Sequence, residues 1–233
     1  MKIAAIIFSR LSSKRLKNKA LVKINNSTLL ELVINRTKLL KNVDEIIVAT
    51  SKKEEDNKIV KLAKKNGVKF FCGDINNLIK RSINCCNKFK IDAFLRICGD
   101  RPLFDLDLNE KAISIFKNNK DSIDLISSEI NFKSIPGLVT ELVTYNSLIK
   151  LQKKKLSKFY LEHMTSYFYK NYDSFKIKKL RSNYKYNGTK LSVDYMADKD
   201  RISYILNLNY PKNYLNTKSN ILKAKQWSLN QLK

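Results

Sequence analysis

The sequence lacks long apolar runs and has little glycine or proline. With 5 Gly and 3 Pro in 233 residues, collagen-like and Pro-rich linker proteins are excluded. No segment approaches the roughly 20 apolar residues that a helix needs to cross a bilayer. The apolar stretch 2–8 is too short for a secretory signal and runs straight into Ser9 and Arg10. The protein is therefore expected to be cytoplasmic, without a membrane span.

Metal-binding patterns of cysteine and histidine are also missing. Cys72, Cys85, Cys86 and Cys98 form no CxxC pair, and the single histidine, His163, is far from all of them in sequence. Structural zinc sites use closely spaced Cys and His ligands, so such a site is not expected. Reduced and mostly buried thiols of an intracellular protein are the interpretation we prefer.

Acidic residues are scarce, and the charge is strongly positive. The chain has 46 Lys+Arg against 21 Asp+Glu, a formal net charge of +25. Such a charge attracts polyanions. The lysines are scattered through every predicted helix, and no helix-turn-helix, zinc finger or aromatic RNA-binding stripe is present. Nucleic acid is therefore not the expected partner, whereas a small polyanionic substrate fits.

Apolar residues make up 43% of the chain, which is enough for a packed core. In the first half, short apolar runs alternate with helical patterns, and this order predicts βαβ units around a mostly parallel sheet. The predicted strands are 3–8, 45–49, 68–71 and 93–98. Three helices are predicted in this half. The first has Ser27 as its N-cap, and the third begins near Leu78. The second begins with a capping box of Ser51 and Glu54 and ends at Gly67.

The second half is less regular. We predict helices at 108–116, 160–171, 197–206 and 219–232, and strands at 123–127, 138–144, 175–180 and 190–193, with 138–144 half-exposed. No internal repeat and no linker composition occurs, so the sequence predicts a single domain spanning residues 1–233.

A basic loop follows the first strand. It carries Arg10, Lys14, Arg15, Lys17 and Lys19 but lacks the P-loop pattern. Such a loop can still neutralise a triphosphate, because an Arg side chain donates hydrogen bonds to two phosphate oxygens at once and backbone amides of a turn bind the others. From composition alone, a merely solvated basic loop is slightly favoured.

Two aspartates directly follow predicted strands. Asp100 comes after 93–98, and Asp194 comes after 190–193. Ligands of parallel sheets bind beyond the carboxyl ends of the strands, so Asp100 and the basic loop should share one crevice. Two carboxylates there can hold one Mg²⁺ that keeps waters and phosphate oxygens. Taken alone, each Asp is better explained as a turn or N-cap residue.

These segments together resemble the cytidylyltransferases that activate acidic sugars, and most of all the spore-coat-polysaccharide branch of that family. The loop resembles R-x-G-S-x-R-L-P-x-K, and 46–50 resembles the strand E-I-V-V-A-T. Five further motifs have counterparts along the chain. They occur in the family's order and extend to about residue 205: G-x(4)-[DE]-V-L-x-R, R-x-x-G-D-x-P-L-x-D, P-x-G-x-x-x-E-V, E-H-V-T-x-Y and L-T-V-D. The residues that match are Arg10, Ser13, Arg15, Leu16, Lys19, Gly73, Arg81, Arg96, Gly99, Asp100, Pro102, Leu103, Asp105, Pro136, Gly137, Glu141, Glu162, His163, Thr165, Tyr167, Leu191, Val193 and Asp194.

The resemblance implies an α/β fold of the nucleotide-diphospho-sugar transferase type, a three-layer α/β/α sandwich with a mostly parallel sheet and a small dimerisation arm. It implies a homodimer that uses CTP and Mg²⁺ to transfer CMP to an acidic sugar and releases pyrophosphate. The nucleotide-binding half would be about 1–105, and the acceptor-binding half with the dimer arm about 106–233.

The resemblance also implies roles for individual residues. The nucleotide would be bound by Ser9, Arg10, Ser13, Arg15, Lys19, Arg81 and Asp100, of which Arg10, Lys19 and Asp100 would be catalytic. Mg²⁺ would be held by Asp100 and Asp194. The acceptor would be bound by Arg101, Glu141, Glu162 and His163. A structural role for His163 remains the preferred alternative to catalysis.

The sequence departs from the family pattern in three ways. Ser12 replaces a common Gly, Lys17-Asn18 replaces Pro-Gly, and Arg101 stands where Cys, Glu or Gln is frequent. Without the proline the loop is less preorganised. Two alternatives stay open: transfer to another acceptor, such as a sugar phosphate or a phosphonate, and a non-catalytic nucleotide-binding homologue.

Overall fold

The computed structural model describes residues 1–13, 15–119, 123–129, 134–186, 188–207 and 216–231. Lys14, predicted as part of the basic loop, lies outside them. The strands are β1 (Ile3–Phe8), β2 (Lys23–Ile24), β3 (Ser27–Thr28), β4 (Glu45–Ser51), β5 (Lys69–Gly73), β6 (Ala93–Cys98), β7 (Leu125–Ser127), β8 (Glu141–Thr144) and β9 (Ile177–Lys179). The α-helices are α1 (Leu29–Thr37), α2 (Asn57–Lys65), α3 (Leu78–Phe89), α4 (Leu106–Asn118), α5 (Tyr145–Gln152), α6 (Lys158–Glu162), α7 (Met164–Lys170), α8 (Met196–Asn207) and α9 (Thr217–Asn230). Short 3-10 turns occur at Lys19–Leu21, Glu54–Asp56 and Tyr172–Ser174.

Seven of these strands form one sheet in the order β5-β4-β1-β6-β8-β7-β9. The strands β5, β4, β1 and β6 are parallel, whereas β8 runs antiparallel to both β6 and β7. The carboxyl ends of the four parallel strands therefore lie along one edge of the sheet. Because β8 is reversed, its first residue, Glu141, comes to the same edge. The mostly parallel sheet that the sequence predicts is confirmed.

Helices cover both faces of the sheet. Alternate residues of β1 point to opposite sides: Ile3, Ala5 and Ile7 pack with α1, α2 and α4, whereas Ala4 and Ile6 pack with α3, α5 and α7. This alternation explains why β1 reads as a continuous apolar run, since both faces are buried. A third apolar cluster joins α8 and α9 to the β2–β3 hairpin. The three-layer α/β/α arrangement is confirmed.

Two predicted helix caps are wrong. Helix α1 is capped by Thr28, whose side chain accepts the amide of Glu31 in a capping box, and not by Ser27. Ser51 does not pair with Glu54, because its hydroxyl donates to Asp56 at 2.5 Å. In both places a neighbouring oxygen of similar chemistry makes the bond, which local sequence patterns do not distinguish.

In the second half, helix α5 (Tyr145–Gln152) was not predicted, and three predicted elements differ from the structure. Residues 190–193 form no strand, because the amides of Leu191 and Val193 bond to the isolated carbonyls of Pro136 and Asp100 rather than to a ladder. The predicted half-exposed strand 138–144 is the fully buried β8, enclosed between β6 and β7. The predicted helix 160–171 is split into α6 and α7 at His163, whose backbone is not helical.

Two predicted absences concern thiols and membranes. All four cysteines are free, and Cys85 and Cys86 are buried. Burial raises the pKa of the Cys85 thiol to about 12, so it stays protonated. Among the helices of the described residues, none combines the length and the apolar character needed to cross a membrane.

Candidate active site

The basic loop is anchored where it leaves β1. The amide of Ser9 donates to the carbonyl of Ala49 at 3.2 Å, and the amide of Leu11 donates to Asp56 Oδ1 at 2.8 Å. Asp56 is 1% exposed and also accepts from the amide and hydroxyl of Ser51. A buried carboxylate thus joins the loop to the end of β4. Sequence reasoning missed Asp56, because nothing in the local pattern links it to a loop 45 residues away.

The end of the loop is shaped by Asn18, which adopts left-handed backbone angles, φ 53° and ψ 32°. Asn tolerates this region better than most residues, so the bend forms without severe strain. Its carbonyl accepts the amide of Leu21 and starts the short turn Lys19–Leu21. Lys19 therefore follows a fixed bend, and its ammonium bonds to Asp100 Oδ2 at 2.7 Å.

Asp100 is placed by a close contact between two strand ends. The amide of Gly99 donates to the carbonyl of Phe8 at 2.9 Å. A Cβ at Gly99 would lie 2.9 Å from the Cβ of Ser9, closer than side chains tolerate. Glycine therefore allows the end of β6 to lie against the start of the basic loop. This contact brings Asp100 to Lys19, as the strand-end argument predicts.

Asp194 reaches the same edge through the extended segment 190–193. The amide of Leu191 donates to Pro136, and that of Val193 donates to the carbonyl of Asp100 at 2.9 Å. Gly137 has φ +103°, and a Cβ there would lie 2.5 Å from the backbone carbon of Leu191. Only glycine accepts both this conformation and this approach.

Asp100 and Asp194, called here the carboxylate pair, share one cation. The Lys19 ammonium lies 2.7 Å from Asp100 Oδ2 and 3.3 Å from Asp194 Oδ1. Arg15 and Lys190 add ion pairs to Asp194, of 2.7 and 2.9 Å. Burial opposes ionisation of Asp194, but the bond from Lys190 and the charge of Lys19 outweigh it and lower the pKa of this carboxyl.

The carboxylate pair fits Mg²⁺. Both side chains offer hard oxygen donors, and both already contact a single positive centre, the Lys19 ammonium. Within the part of the chain that the structure describes, no group of three or more His, Cys, Asp or Glu side chains is assembled. Two carboxylates are what Mg²⁺ commonly takes from a protein when substrate phosphates complete its shell.

Arg10 and Arg81 form a second group. Both guanidiniums donate to the carbonyl of Ile75, at 3.1 and 3.2 Å, and Arg10 also pairs with Glu162. Arg81 is 2% exposed, and its burial, together with the charge of Arg10, lowers its pKa to about 10. Glu162, at the end of α6, therefore joins the second half of the chain to the basic loop. His163 follows it, is exposed, and packs its ring against Phe159.

A third group lies behind the sheet edge. Glu141 is 3% exposed, accepts from Arg96 Nη1 at 2.5 Å, and accepts from the hydroxyl of Tyr169 at 2.6 Å. Ser127 bonds to the same hydroxyl, and we call these four residues the buried cluster. Arg101 donates to the carbonyl of Val139 at 3.0 Å.

The structure thus groups the predicted residues into three neighbourhoods. Arg15 and Lys19 surround the carboxylate pair, Arg10 and Arg81 meet Glu162, and Glu141 is enclosed in the buried cluster. Ser9 is buried and Ser13 lies two residues beyond Leu11, whose carbonyl accepts its amide. Sequence reasoning missed Asp56, Tyr169, Lys190 and Asp198 as site-supporting residues.

The sequence model of the family described as Cytidylyltransferase matches residues 4–225 of this chain. The chain belongs to the cytidylyltransferase family. It is therefore a nucleotidyltransferase, and the resemblance seen in the sequence motifs is confirmed.

Three curated relatives are similar in sequence to this chain. An uncharacterized protein of Methanocaldococcus jannaschii is 38% identical over 201 residues, which cover 85% of this chain and 80% of the relative. The spore coat polysaccharide biosynthesis protein SpsF of Bacillus subtilis is 28% identical over 71% of this chain and 69% of its own. A 3-deoxy-manno-octulosonate cytidylyltransferase of Fusobacterium nucleatum is 33% identical over 52% of this chain and 49% of its own.

A solved structure agrees over nearly the whole molecule. A cytidylyltransferase from Leptospira borgpetersenii superposes with a TM-score of 0.91 at 26% identity, and covers 97% of this chain and 96% of its own. The fold of the cytidylyltransferase family therefore extends over both halves, including the less regular second half.

Proposed function

We propose that this cytidylyltransferase transfers CMP from CTP to an acidic sugar of the sialic acid, legionaminic acid or Kdo type and releases pyrophosphate. The product would serve the synthesis of a surface polysaccharide. The family supports the CTP-dependent reaction, and the names of the Bacillus and Fusobacterium relatives support the acceptor class. The net charge of +25 suits two anionic substrates.

The observation that carries the proposal is the Lys19 ammonium held between the carboxylate pair. Cations and carboxylates that meet at one point can exchange partners when a nucleotide arrives. Lys19, Arg15 and Arg10 would bind phosphate oxygens, assisted by Ser9 and Ser13, while Arg81 would line the nucleotide pocket. Asp100 and Asp194 would hold Mg²⁺, which when bound neutralises charge on the α-phosphate and the leaving pyrophosphate.

The reaction is an in-line displacement at phosphorus. The acceptor's hydroxyl oxygen forms a bond to the α-phosphorus, and the bond to the bridging oxygen breaks. Pyrophosphate leaves with that electron pair, and the hydroxyl proton is released. Positioning and charge neutralisation carry such a step, without a covalent enzyme intermediate. Arg10, Lys19 and Asp100 would be its catalytic residues.

The acceptor would bind on the side of Glu162 and His163. Both side chains are exposed, and Glu162 already contacts Arg10 of the proposed nucleotide site. Arg101 and Glu141 would support this side from within, with Arg101 adding positive charge for an acceptor carboxylate. We also propose a homodimer, which light scattering of the purified protein tests.

Pyrophosphate release tests the reaction. It would be measured with Mg²⁺, each of the four NTPs and a panel of acidic sugars, one sugar phosphate and one phosphonate. Release with CTP and an acidic sugar is the expected result. Asp100→Asn should lower the rate by about 10²–10³-fold. Asp173→Asn is the matched control, because Asp173 is exposed and outside the three neighbourhoods described above.

The other results each identify an alternative. Release with the sugar phosphate or phosphonate alone would replace the acceptor class. A CTP-dependent rise in melting temperature without release from any acceptor would favour a non-catalytic homologue. Release that is equal in Asp100→Asn would contradict the site.

A further inference from the structure

The two oxygens of Asp194 have different partners. Oδ1 faces Arg15 at 2.7 Å and Lys19 at 3.3 Å. Because Lys19 also bonds to Asp100, Oδ1 is the oxygen on the side of the carboxylate pair. Oδ2 is bonded instead by the ammonium of Lys190 at 2.9 Å. One oxygen is thus directed toward the proposed reaction site and the other toward the protein.

Lys190 is itself fixed by a second carboxylate. Its ammonium lies 2.7 Å from Asp198 Oδ2, in the first turn of α8. Asp198 Oδ2 also accepts the amide of Asp194 at 2.8 Å and that of Tyr195 at 3.0 Å, while Arg201 holds Oδ1. These bonds tie Asp198 to the turn that carries Asp194. Lys190 therefore links the Asp194 side chain to the Asp198 carboxylate, which is itself hydrogen-bonded to the backbone amide of Asp194.

The ring of Tyr195 limits the movement of the same lysine. The Lys190 ammonium lies 5.5 Å from the centre of this ring, and the guanidinium of Arg15 lies 5.8 Å from it. Such cation–aromatic contacts favour the position that each cation holds. The two cations that bond to opposite oxygens of Asp194 are thus steadied by one side chain.

We propose that Lys190, fixed by Asp198, is a positioning residue that holds Asp194 Oδ2 and keeps Oδ1 directed at Asp100. The proposal rests on the proposed function, since it concerns the Mg²⁺ that Asp100 and Asp194 would share. Without Lys190, the carboxylate is free to turn about its Cβ–Cγ bond and to close both oxygens onto Arg15 and Lys19. Groups that orient metal ligands typically change metal affinity by about 10–100-fold.

The test compares three variants in the full-length protein. Lys190→Met removes the ammonium, Lys190→Arg keeps a donor, and Lys199→Met is the matched control. Lys199 is a neighbouring lysine whose ion pair is with Asp200, outside the site. The first readout is the Mg²⁺ concentration that gives half of the melting-temperature rise caused by CTP, which needs no turnover. The second is the Mg²⁺ dependence of pyrophosphate release.

We expect Lys190→Met to raise both half-saturating Mg²⁺ concentrations by about tenfold. The rate at saturating Mg²⁺ should recover, and the melting temperature without ligands should stay close to that of wild type. Lys190→Arg should restore most of the Mg²⁺ affinity, and Lys199→Met should match wild type. A purely structural role would lower the melting temperature without moving the Mg²⁺ dependence.

Two results would overturn the proposal. One is an unchanged Mg²⁺ half-saturation in Lys190→Met. The other is a raised KM for CTP at constant Mg²⁺ half-saturation, which would make Lys190 a phosphate contact. Failure of the proposed function is distinguishable, because then wild type itself would show no Mg²⁺-dependent response to CTP.

Discussion

The carboxylate pair and the buried cluster both join carboxylates to cations, but the first is partly exposed and the second is buried. The side chains of Asp100 and Asp194 are 26% and 13% exposed, and their cations come from the basic loop and the segment before Asp194. Glu141 is 3% exposed, and its partners lie on β6 and α7. Long side chains on loops can exchange partners, whereas partners on packed elements remain in place.

This difference separates two uses of charge in one molecule. In the carboxylate pair, each acid is bonded by cations that a triphosphate would also attract, so ligand binding can replace the existing bonds. In the buried cluster, both oxygens of Glu141 are satisfied by the protein. Such a cluster fixes the junction of β6, β7, β8 and α7, and it leaves neither oxygen of Glu141 without a protein partner.

The sharpest way to break the comparison is to replace an acid by its amide in each cluster. Glu141→Gln leaves the Arg96 charge buried without its counter-charge, so unfolding free energy should fall by about 3–5 kcal/mol. Asp100→Asn should change it by less than about 1 kcal/mol, because its ion pair is partly exposed. Urea unfolding of both variants and wild type measures the difference. Equal losses would mean that the two clusters are built alike.

The sequence shows the carboxylate pair more clearly than the buried cluster. Asp100 follows a mostly apolar run that predicts a strand, and the basic loop follows another, so the topology of a parallel sheet brings them together. The pairing of Glu141 with Tyr169 depends on where α7 packs, which no local pattern specifies. Asp56 was missed for the same reason, since its bond to Leu11 is a long-range contact.

Asp194 meets Asp100 at the Lys19 ammonium, although the strand predicted before it does not form. The alternation of Leu191 and Val193 suggested a strand, and both side chains are indeed buried. Their amides bond to Pro136 and Asp100, so the segment is extended without joining a ladder. Alternating apolar residues indicate that one face of a segment is buried. Whether the segment pairs as a strand depends on neighbouring strands that the local sequence does not show.

The unfolding free energy at low pH should show the contribution of Glu141, with a smaller effect than the Glu141→Gln substitution. Burial opposes ionisation of Glu141, but Arg96, Arg101 and the hydroxyl of Tyr169 outweigh it and lower its pKa below 4.5. A carboxyl whose pKa is lower in the folded state contributes stability above its unfolded pKa, and this contribution is lost as pH falls through the folded value. Unfolding free energy should therefore decrease below about pH 4.5, by up to about 1.4 kcal/mol per pH unit for this group.

Glu141→Gln should remove that part of the slope, and Asp173→Asn should keep it. Urea unfolding between pH 3 and pH 7 compares the three proteins. An unchanged slope in Glu141→Gln would mean that other carboxyls set the acid limit, and that Glu141 contributes to packing more than to charge balance.

The smallest expected effect concerns the loop on the nucleotide side. Asn18 holds left-handed backbone angles immediately before Lys19. Asn18→Gly removes the steric cost of this conformation but adds chain entropy, so stability should change by less than about 0.5 kcal/mol. Asn18→Val should lose about 1–2 kcal/mol, because a β-branched residue is strained there. Urea unfolding measures both changes.

The nucleotide response should follow the same order. Lys19 depends on the bend at Asn18 to reach the carboxylate pair, so the CTP-dependent rise in melting temperature should be kept in Asn18→Gly and reduced in Asn18→Val. A full response in Asn18→Val would show that the long Lys19 side chain finds its partners without the bend. The contact of Lys19 with the carboxylate pair would then not depend on the backbone conformation at Asn18. The hydrogen bonds of the buried cluster, in contrast, depend on the positions of packed strands and helices.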